Sequence, residues 1–250
     1  MGIPSGFGYS AYDPFAWLYS RGWGTEYHRQ ALGALEKLLL GQVPECARLL
    51  DVCCGSGDLA RTLSERGYQV VGIDSSRAML EHARKLAPAA AFVLADARQF
   101  GFREVFHGAV STFDSLNHVL ALEELEAVFR NVAGALRPGG VWVFDLNMIE
   151  CFRTLWTGLT AEVEADSAYV ARFAYDPAAK IGRAEVTMFR QSGHWERTDT
   201  TVLERCYASE EVRAALEAAG FAGIEVHEAR SLGMRGDLAL GRSFFSARQP

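Results

Sequence analysis

The sequence Leu49-Leu-Asp-Val-Cys-Cys-Gly-Ser-Gly-Asp-Leu-Ala60 predicts a buried strand that breaks into a glycine turn and then opens a helix. In α/β proteins this junction holds nucleotides, because glycines permit close backbone approach and the start of a helix offers free N–H groups. Asp51 stands at the end of the strand, and Asp74 ends the next apolar run, Tyr68-Gln-Val-Val-Gly-Ile-Asp74. A carboxylate at this distance is expected to contact a ribose. The motif therefore predicts a ligand with a ribose and a charged tail.

The glycine spacing alone leaves two kinds of ligand open. Gly55-x-Gly57-x-x-Ala60 satisfies the loose dinucleotide fingerprint, so an NAD(P)-dependent oxidoreductase is one alternative. Two features favour a different ligand. Asp51 lies four residues before the first glycine, and a third acid, Asp96, follows a third apolar run in Phe92-Val-Leu-Ala-Asp-Ala-Arg98. Three successive predicted strands thus end in an acid.

Alternating apolar runs and amphipathic segments predict an α/β domain with a parallel sheet. Strands are expected at about 47–52, 69–74, 91–95, 108–113 and 141–146, and helices at about 57–66, 76–87 and 122–136. Segments of alternating hydrophobicity near 161–166, 168–175, 183–190 and 195–206 predict an antiparallel insert. The predicted domains are an N-terminal aromatic lid and helix at 1–45, a ligand-binding core at 46–155, the insert at 156–206, and a C-terminal helix with two strands at 207–250.

The three acids, the glycine loop and a Pro138-Gly-Gly turn before a strand resemble the class I S-adenosylmethionine (SAM) dependent methyltransferases of the small-molecule type. This group includes glycine N-methyltransferase-like and amino-sugar N-methyltransferase-like enzymes. The resemblance covers residues 47–150 and continues into the last helix and hairpin. It implies a Rossmann-like fold with a seven-stranded, mostly parallel sheet between helices, and SAM as the cofactor.

The resemblance also implies a donor site. In the family the glycine loop approaches the methionine part of SAM, the acid after the second strand holds the ribose hydroxyls, and the acid after the third strand lies by the adenine. The residues of this chain at such positions, with two aromatic residues of the lid, are Asp51, Cys53, Cys54, Gly55, Ser56, Gly57, Asp74, Ser75, Met79, Asp96, Ala97, Arg98, Thr112, Tyr9 and Trp17. Cys53 departs from the family, which usually has glycine there.

The acceptor is expected to bind where the strand at 108–113 delivers Asp114-Ser-Leu-Asn-His118 to the rim of the sheet. Asp114 and His118 are the candidate bases, because a protonated amine or a hydroxyl must lose a proton during methylation. The aromatic N-terminal segment is a candidate lid that excludes water. His28 and Arg29, in the helix that follows, are expected on the solvent face.

Composition narrows the class of partner. The chain has 250 residues, a net charge of −6 and five cysteines without paired CxxC spacing. An acidic chain of this kind argues against nucleic acid, and no apolar run reaches the length of a membrane span. Together with the resemblance, these features lead us to expect a cytoplasmic monomer or homodimer, without metal, that methylates nitrogen or oxygen of a small-molecule acceptor. A SAM-binding protein without turnover is the remaining alternative.

Overall fold

The computed structural model describes residues 10, 12–21 and 24–250 of the chain. Its main sheet has seven strands in the order β10-β11-β5-β4-β1-β2-β3. The strands of this sheet are β1 (Arg48–Val52), β2 (Gln69–Asp74), β3 (Ala91–Leu94), β4 (Phe106–Ser111), β5 (Leu136–Asn147), β10 (Ala222–Glu228) and β11 (Arg242–Arg248). β1 to β5 run parallel, and β10 and β11 are antiparallel to their neighbours. The predicted seven-stranded, mostly parallel sheet is confirmed.

Seven α-helices accompany the strands in the described part of the chain. They are α1 (Ala16–Tyr19), α2 (Thr25–Leu38), α3 (Asp58–Glu65), α4 (Arg77–Leu86), α5 (Leu122–Ala135), α6 (Ile149–Leu155) and α7 (Ser209–Ala218). The apolar face of α5, which includes Leu125, Val128 and Phe129, is fully buried against the sheet. Over the described ranges, no helix is long and apolar enough to cross a membrane.

The predicted insert forms a separate antiparallel sheet of four strands. They are β6 (Gly158–Val163), β7 (Ser167–Asp176), β8 (Ile181–Gln191) and β9 (Trp195–Arg205), and they are adjacent in sequence order. Alternate residues of β7 and β8, among them Ala171, Ala184 and Val186, are buried in a cluster with Phe152 and Trp156 of the α6 region. One face of the insert is therefore packed while its opposite face meets solvent.

The segment that contains α1 lies across the insert and is attached to it by charge. The Arg21 guanidinium donates hydrogen bonds to Asp166 at 2.7 and 2.9 Å and to Glu164 at 3.0 Å. Asp166 and Glu164 belong to the turn between β6 and β7. Trp17 lies between two cations, with the Arg21 and Arg190 guanidinium carbons 5.6 and 5.5 Å from its ring centroid. These contacts hold the segment over the sheet's edge.

Candidate active site

A cavity of about 710 Å³ opens where the carboxyl ends of the parallel strands meet the insert and the α1 segment. It has a polar end beside the glycine loop and an apolar end beneath the insert. The polar end is lined by Cys53, Gly55, Ile73, Asp74, Ser75, Met79, Ala95, Asp96, Ala97 and Arg98. The apolar end is lined by Cys151, Leu155, Trp156, Ala171, Phe173, Ala184, Val186, Val202 and Leu203. A site at this edge is where open α/β sheets bind ligands.

At the polar end, the Asp74 carboxylate is held by the backbone on both sides. Its Oδ2 accepts a hydrogen bond of 2.9 Å from Gly55 N, and its Oδ1 accepts one of 2.8 Å from Ser76 N. The glycine loop and the end of β2 are thereby fixed relative to each other. Both oxygens keep lone pairs for a ligand, because a carboxylate offers about four acceptor positions.

Cys53 occupies the turn in an unusual backbone conformation. Its φ is +59°, in the left-handed region that favours glycine. The side chain lines the cavity, and burial raises the pKa of its thiol well above the ordinary range. Cys53 therefore has the backbone conformation of the glycine it replaces and adds an uncharged sulfur to the wall of the cavity.

Gly57 and Cys54 do not line the main cavity. Gly57 has φ +86° and precedes α3, and a Cβ built on it would lie 2.9 Å from Cβ of Ala83 in α4. Cys54 is buried, and its sulfur would lie 2.7 Å from a Cβ built on Gly72. The second glycine of the loop is thus required for close helix packing, while Cys54 lines the small recess behind the loop; contact of either residue with the donor stays a prediction.

Asp51 lies behind the loop, and one of its two carboxyl oxygens lacks a partner in the described part of the chain. The residue is 2% exposed, and its Oδ2 makes no hydrogen bond within the described residues. Burial, aided by the nearby charge of Asp74, raises the pKa of Asp51 to about 8. A buried carboxyl group without a partner is costly, and a ligand cation would relieve that cost. The α-ammonium group of SAM has the required charge, so the residues present fit this cofactor.

Asp96 and Arg98 form an ion pair that lines the polar end of the cavity. Arg98 Nη2 donates a 2.6 Å hydrogen bond to Asp96 Oδ2, and its Nη1 donates one of 2.9 Å to Glu124. The Arg98 guanidinium lowers the pKa of Asp96. Arg98 is therefore neutralised by two acids, while Ala97 and Met79 contribute apolar surface beside it.

The loop after β4 holds Asp114 in a buried ionic cluster. Phe113 and Asp114 have φ of +62° and +51°, conformations uncommon for residues with side chains. Arg242 donates a 2.8 Å hydrogen bond to Asp114 Oδ1 and a second, short one to Asp145. Burial opposes the charge on Arg242, but the two carboxylates outweigh it and raise the pKa of Arg242. Tyr27 completes the cluster by donating to Asp145 at 2.8 Å.

His118 lines the cavity with both ring nitrogens engaged. The Tyr12 hydroxyl lies 2.7 Å from Nε2, and Nδ1 lies 3.0 Å from the Leu203 carbonyl oxygen. A carbonyl only accepts, so Nδ1 carries the proton and Nε2 accepts from Tyr12. Burial lowers the pKa of His118, and the charge of Asp114 opposes that shift without reversing it. The ring is therefore neutral at physiological pH.

Glu204 is the main residue of the site that the sequence analysis missed. It comes from β9, is 4% exposed and lies 3.6 Å from His118 Nε2 through its Oε1. Burial first, and then the charge of Asp114 and a hydrogen bond with it, raise the pKa of Glu204. Asn147 Nδ2 lies 3.5 Å from its other oxygen. Glu204 thus lies beside the Asp114 carboxylate, and burial together with that neighbour favours its protonated form.

The remaining expected contacts are distributed as follows. Ser56 and Thr112 line a small recess behind the loop, while Ser75 lines the main cavity. Trp17 lines neither: its ring lies against the Arg21 and Arg190 guanidinium groups, whereas Tyr12 and Tyr19 line the cavity. Contact of Trp17 with the donor stays a prediction. Tyr9 lies outside the described residues.

The expectation of a solvent face in α2 is confirmed for one residue and wrong for the other. Arg29 is exposed and pairs with Glu26 at 2.6 Å. His28 is half-buried, and its Nδ1 is shielded from solvent without a hydrogen bond in the part of the chain that the structure describes. His28 lines the small recess together with Asp51.

The known sequences that match this chain are described as methyltransferases. A profile described as a methyltransferase domain matches residues 49–140. A putative methyltransferase of Bacillus subtilis, YqeM, is 29% identical over 192 residues, which are 74% of this chain and 77% of that protein. The dTDP-3-amino-3,4,6-trideoxy-alpha-D-glucopyranose N,N-dimethyltransferase of Streptomyces venezuelae is 32% identical over 163 residues, which are 63% of this chain and 66% of that protein. The chain thus aligns with slightly less than two thirds of this second relative.

Solved structures extend the likeness over the whole chain. Streptomyces venezuelae DesVI has a TM-score of 0.75 at 27% identity and covers 96% of this chain and 99% of its own. A SAM-dependent methyltransferase from Clostridium acetobutylicum has a TM-score of 0.78 at 19% identity with the same coverage, and this likeness concerns the fold. These matches do not favour the oxidoreductase or the non-catalytic alternative. The chain belongs to the class I SAM-dependent methyltransferases, and SAM is its cofactor.

Proposed function

We propose that this methyltransferase transfers a methyl group to the nitrogen of a small-molecule amine. The observation that carries the proposal is the excess of acid beside the apolar end of the cavity. Asp114, Asp145 and Glu204 face one guanidinium, that of Arg242. Buried acids in excess of bases favour a cationic guest, and a protonated amine has that charge. The amino-sugar N,N-dimethyltransferases among the relatives support the same acceptor atom.

We place the methyl donor at the polar end. Bound SAM supplies an electrophilic methyl group on a sulfonium, so the protein needs only to orient the two reactants and exclude water. In this proposal Asp74 accepts from the ribose hydroxyls and Asp51 faces the α-ammonium group. Asp96, Ala97 and Met79 lie against the adenine, and Cys53 and Gly55 lie beside the thioether chain. The unpartnered Asp51 Oδ2 supports this orientation.

The apolar end would then receive the body of the acceptor. Trp156 and Phe173 supply aromatic surface, and Ala171 and Ala184 leave room because their side chains are small. Tyr12 and Tyr19 line the cavity from the α1 segment, which would act as the lid that excludes water. Both guanidinium groups on the cavity wall, Arg98 and Arg242, are bound to carboxylates, so neither favours an acceptor phosphate there.

The amine must lose a proton before its nitrogen lone pair can attack. His118 is neutral, so it can take that proton at Nε2, and the Glu204 carboxyl group lies 3.6 Å from the same atom beside the acceptor position. Asp114 itself is held by Arg242 and acts in this scheme as the fixed charge that orients the pair. Tyr12, which donates to His118 Nε2, would have to turn away before His118 accepts a proton.

The cellular setting remains part of the proposal. A net charge of −6 and cysteines that form no disulfide among the described residues support a reducing cytoplasm and argue against a nucleic-acid partner. We also propose that the domain boundaries lie where the sequence predicts them, at 45/46, 155/156 and 206/207. The oligomeric state, a monomer or a homodimer, stays a prediction, and analytical ultracentrifugation would distinguish the two.

The acceptor atom can be tested with matched compounds. We would incubate the enzyme with trideuteromethyl-labelled SAM and pairs of compounds that differ only by amine or hydroxyl, such as 2-phenylethylamine and 2-phenylethanol, and aminodeoxy and hydroxy sugars. Mass spectrometry should find label in amines and none in their hydroxyl partners. Label confined to the hydroxyl compounds would show oxygen to be the acceptor and the proposal to be wrong.

A further inference from the structure

One row of side chains crosses the inward face of the insert above the apolar end of the cavity. Ala184 of β8 pairs with Phe173 of β7 on one side and with Val202 of β9 on the other. All three residues line the cavity. Side chains opposite each other on neighbouring strands lie about 5 Å apart, so the methyl group of Ala184 lies between two larger side chains. The row is therefore lowest at its centre.

Larger side chains also border Ala184 along its own strand. Val186, two residues further, points to the same face and lines the cavity. In the other direction Trp156 lies over Gly182, because a Cβ built on that glycine would be only 2.5 Å from Trp156 Cε3. The Trp156 ring meets the Phe173 ring edge to face, with centroids 5.7 Å apart. Ala184 is thus the floor of a depression, which we call the Ala184 subpocket; its walls are Phe173, Val202, Val186 and Trp156.

The walls of the Ala184 subpocket are aliphatic or aromatic and carry no charge. A phosphate placed there would lose its water without gaining a cation, and the hydroxyls of a sugar would lose most of their hydrogen bonds. A hydrocarbon ring gains free energy there instead, in proportion to the apolar area that it removes from water. The subpocket therefore favours an acceptor that is apolar at this end.

The groups proposed to meet the acceptor nitrogen lie close to the subpocket. Glu204 points to the same face of β9 as Val202 and is two residues along the strand, at about 6–7 Å. His118 Nε2 lies 3.6 Å from Glu204 Oε1. A nitrogen beside these two side chains and a ring over Ala184 are therefore joined by a short link of one or two carbons.

We propose that the acceptor is an amine whose nitrogen is one or two carbons from an uncharged, ring-sized apolar group, and that this group fills the Ala184 subpocket. The inference rests on the proposed transfer to an amine nitrogen and narrows it to a class of substrate. Ala184 is the specificity-determining residue, because a larger side chain at its position would occupy the space of the ring. Arylalkylamines have the required form, and amines linked to a nucleoside diphosphate do not.

The first test compares acceptors of the unmodified enzyme with labelled SAM: 2-phenylethylamine, ethanolamine and a nucleoside-diphosphate amino sugar. The kcat/KM for 2-phenylethylamine should exceed that for ethanolamine by at least about tenfold, as expected for burial of one ring. It should also exceed that for the amino sugar. Equal kcat/KM for the two simple amines, or a preference for the amino sugar, would overturn this inference and leave the proposed transfer to nitrogen intact. Methylation of 2-phenylethanol in place of every amine would instead overturn the proposed function.

The second test changes the floor of the subpocket. Ala184→Leu should lower the ratio of kcat/KM for 2-phenylethylamine to that for ethanolamine by at least about tenfold, because leucine occupies the space of the ring. Ala184→Gly should raise kcat/KM for the larger naphthylethylamine relative to 2-phenylethylamine. Ala174→Leu, on the exposed face of β7, is the matched control and should keep the ratios of the parent.

Affinity for S-adenosylhomocysteine, measured by calorimetry, shows whether each variant is folded. If Ala184→Leu binds this ligand and keeps the acceptor ratio of the parent, the ring does not lie over Ala184 and the inference is wrong. If Ala184→Leu does not fold, Ala184→Gly decides: unchanged ratios in that variant overturn the inference in the same way.

Discussion

Tyr12 and His118 are 106 positions apart in the sequence and are joined by a 2.7 Å hydrogen bond from the phenol to the imidazole Nε2. Their rings meet edge to face, with centroids 5.3 Å apart. Tyr12 belongs to the segment that covers the cavity, and His118 belongs to the acceptor loop. The hydrogen bond therefore connects the α1 segment, which covers the cavity, to the candidate base His118. An acceptor amine could reach His118 Nε2 only after the Tyr12 hydroxyl has moved away from it.

We predict that Tyr12→Phe impairs the use of the acceptor more than binding of the donor. The phenylalanine keeps the ring contacts, so loss of one hydrogen bond should cost about 1 kcal/mol of folding stability. Without the bond, Nε2 is already free, but His118 keeps only its contact with the Leu203 carbonyl; we expect the loss of orientation to outweigh the gain, so kcat/KM for an amine acceptor should fall about tenfold. Steady-state kinetics and calorimetry with S-adenosylhomocysteine measure the two effects. Tyr68→Phe, at a half-buried site away from the cavity, is the control; an unchanged kcat/KM for Tyr12→Phe would contradict the prediction.

A second prediction concerns the ribose site. Asp74→Asn keeps the shape of the side chain but replaces one acceptor oxygen by an N–H₂ donor, which opposes both the Gly55 amide and a ribose hydroxyl. Affinity for S-adenosylhomocysteine should fall by at least about tenfold, as expected for loss of a hydrogen bond to a charged group.

The fold should tolerate this change. Burial raises the pKa of Asp74, so the charged form is not required for folding, and losing one acceptor for a backbone amide should cost only about 1 kcal/mol of stability. Asp176→Asn, in an exposed turn, should leave donor affinity unchanged. Binding within about twofold of the parent by Asp74→Asn would refute the ribose assignment.

The donor end of the cavity was predictable because it is encoded locally. A strand, a glycine turn and a helix follow one another in residues 49–60, and Asp74 and Asp96 each sit at the end of their own apolar run. Parallel strands bring such ends to one edge of the sheet, so local pattern and topology together place the acids. The structure adds that Gly57 is required for helix packing, which glycine spacing cannot distinguish from ligand contact.

The acceptor end was less predictable because its residues meet through the insert and the last strand. Glu204 had a usable signal: it alternates with Val202 of β9 and with Cys206, which directly follows the strand, and an acid among apolar neighbours needs a partner. Arg242 begins an apolar strand and is unusual in the same way. Which acid pairs with which base depends on contacts over 97 to 128 positions, and periodicity does not encode these.

A third prediction tests the packing role of the glycine loop. Gly57→Ala must place a Cβ 2.9 Å from Cβ of Ala83 at φ +86°, so α3 and α4 have to separate. We expect a loss of about 1–3 kcal/mol in the free energy of unfolding. Gly134→Ala is the matched control, because it lies in α5 with nothing within 4 Å of its Cβ, and it should stabilise by about 0.4–1 kcal/mol. Urea unfolding measures both, and equal stability of the two variants would be incompatible with the packing role.

The last prediction concerns pH. Burial and the nearby charge of Asp74 raise the pKa of Asp51 from an ordinary 3.8 to about 8. Between these values the unfolded chain has lost the proton that the folded protein keeps, so this group makes the free energy of unfolding fall as pH rises. Asp51→Asn imitates the neutral form, so it should stabilise the ligand-free protein at pH 8 by on the order of a few kcal/mol and have little effect near pH 4.

The same variant should lose donor affinity, because Asp51 is proposed to face the ligand's ammonium group. Thermal unfolding across this pH range, with and without S-adenosylhomocysteine, measures both effects. Asp199→Asn is the control of opposite sign: hydrogen bonds from Arg197 and Thr187 lower the pKa of that exposed acid, so its removal should not stabilise the protein at any pH. Equal melting temperatures for Asp51→Asn and the parent at pH 8 would mean that the Asp51 carboxyl is not isolated from solvent and has no unmet need for a cation.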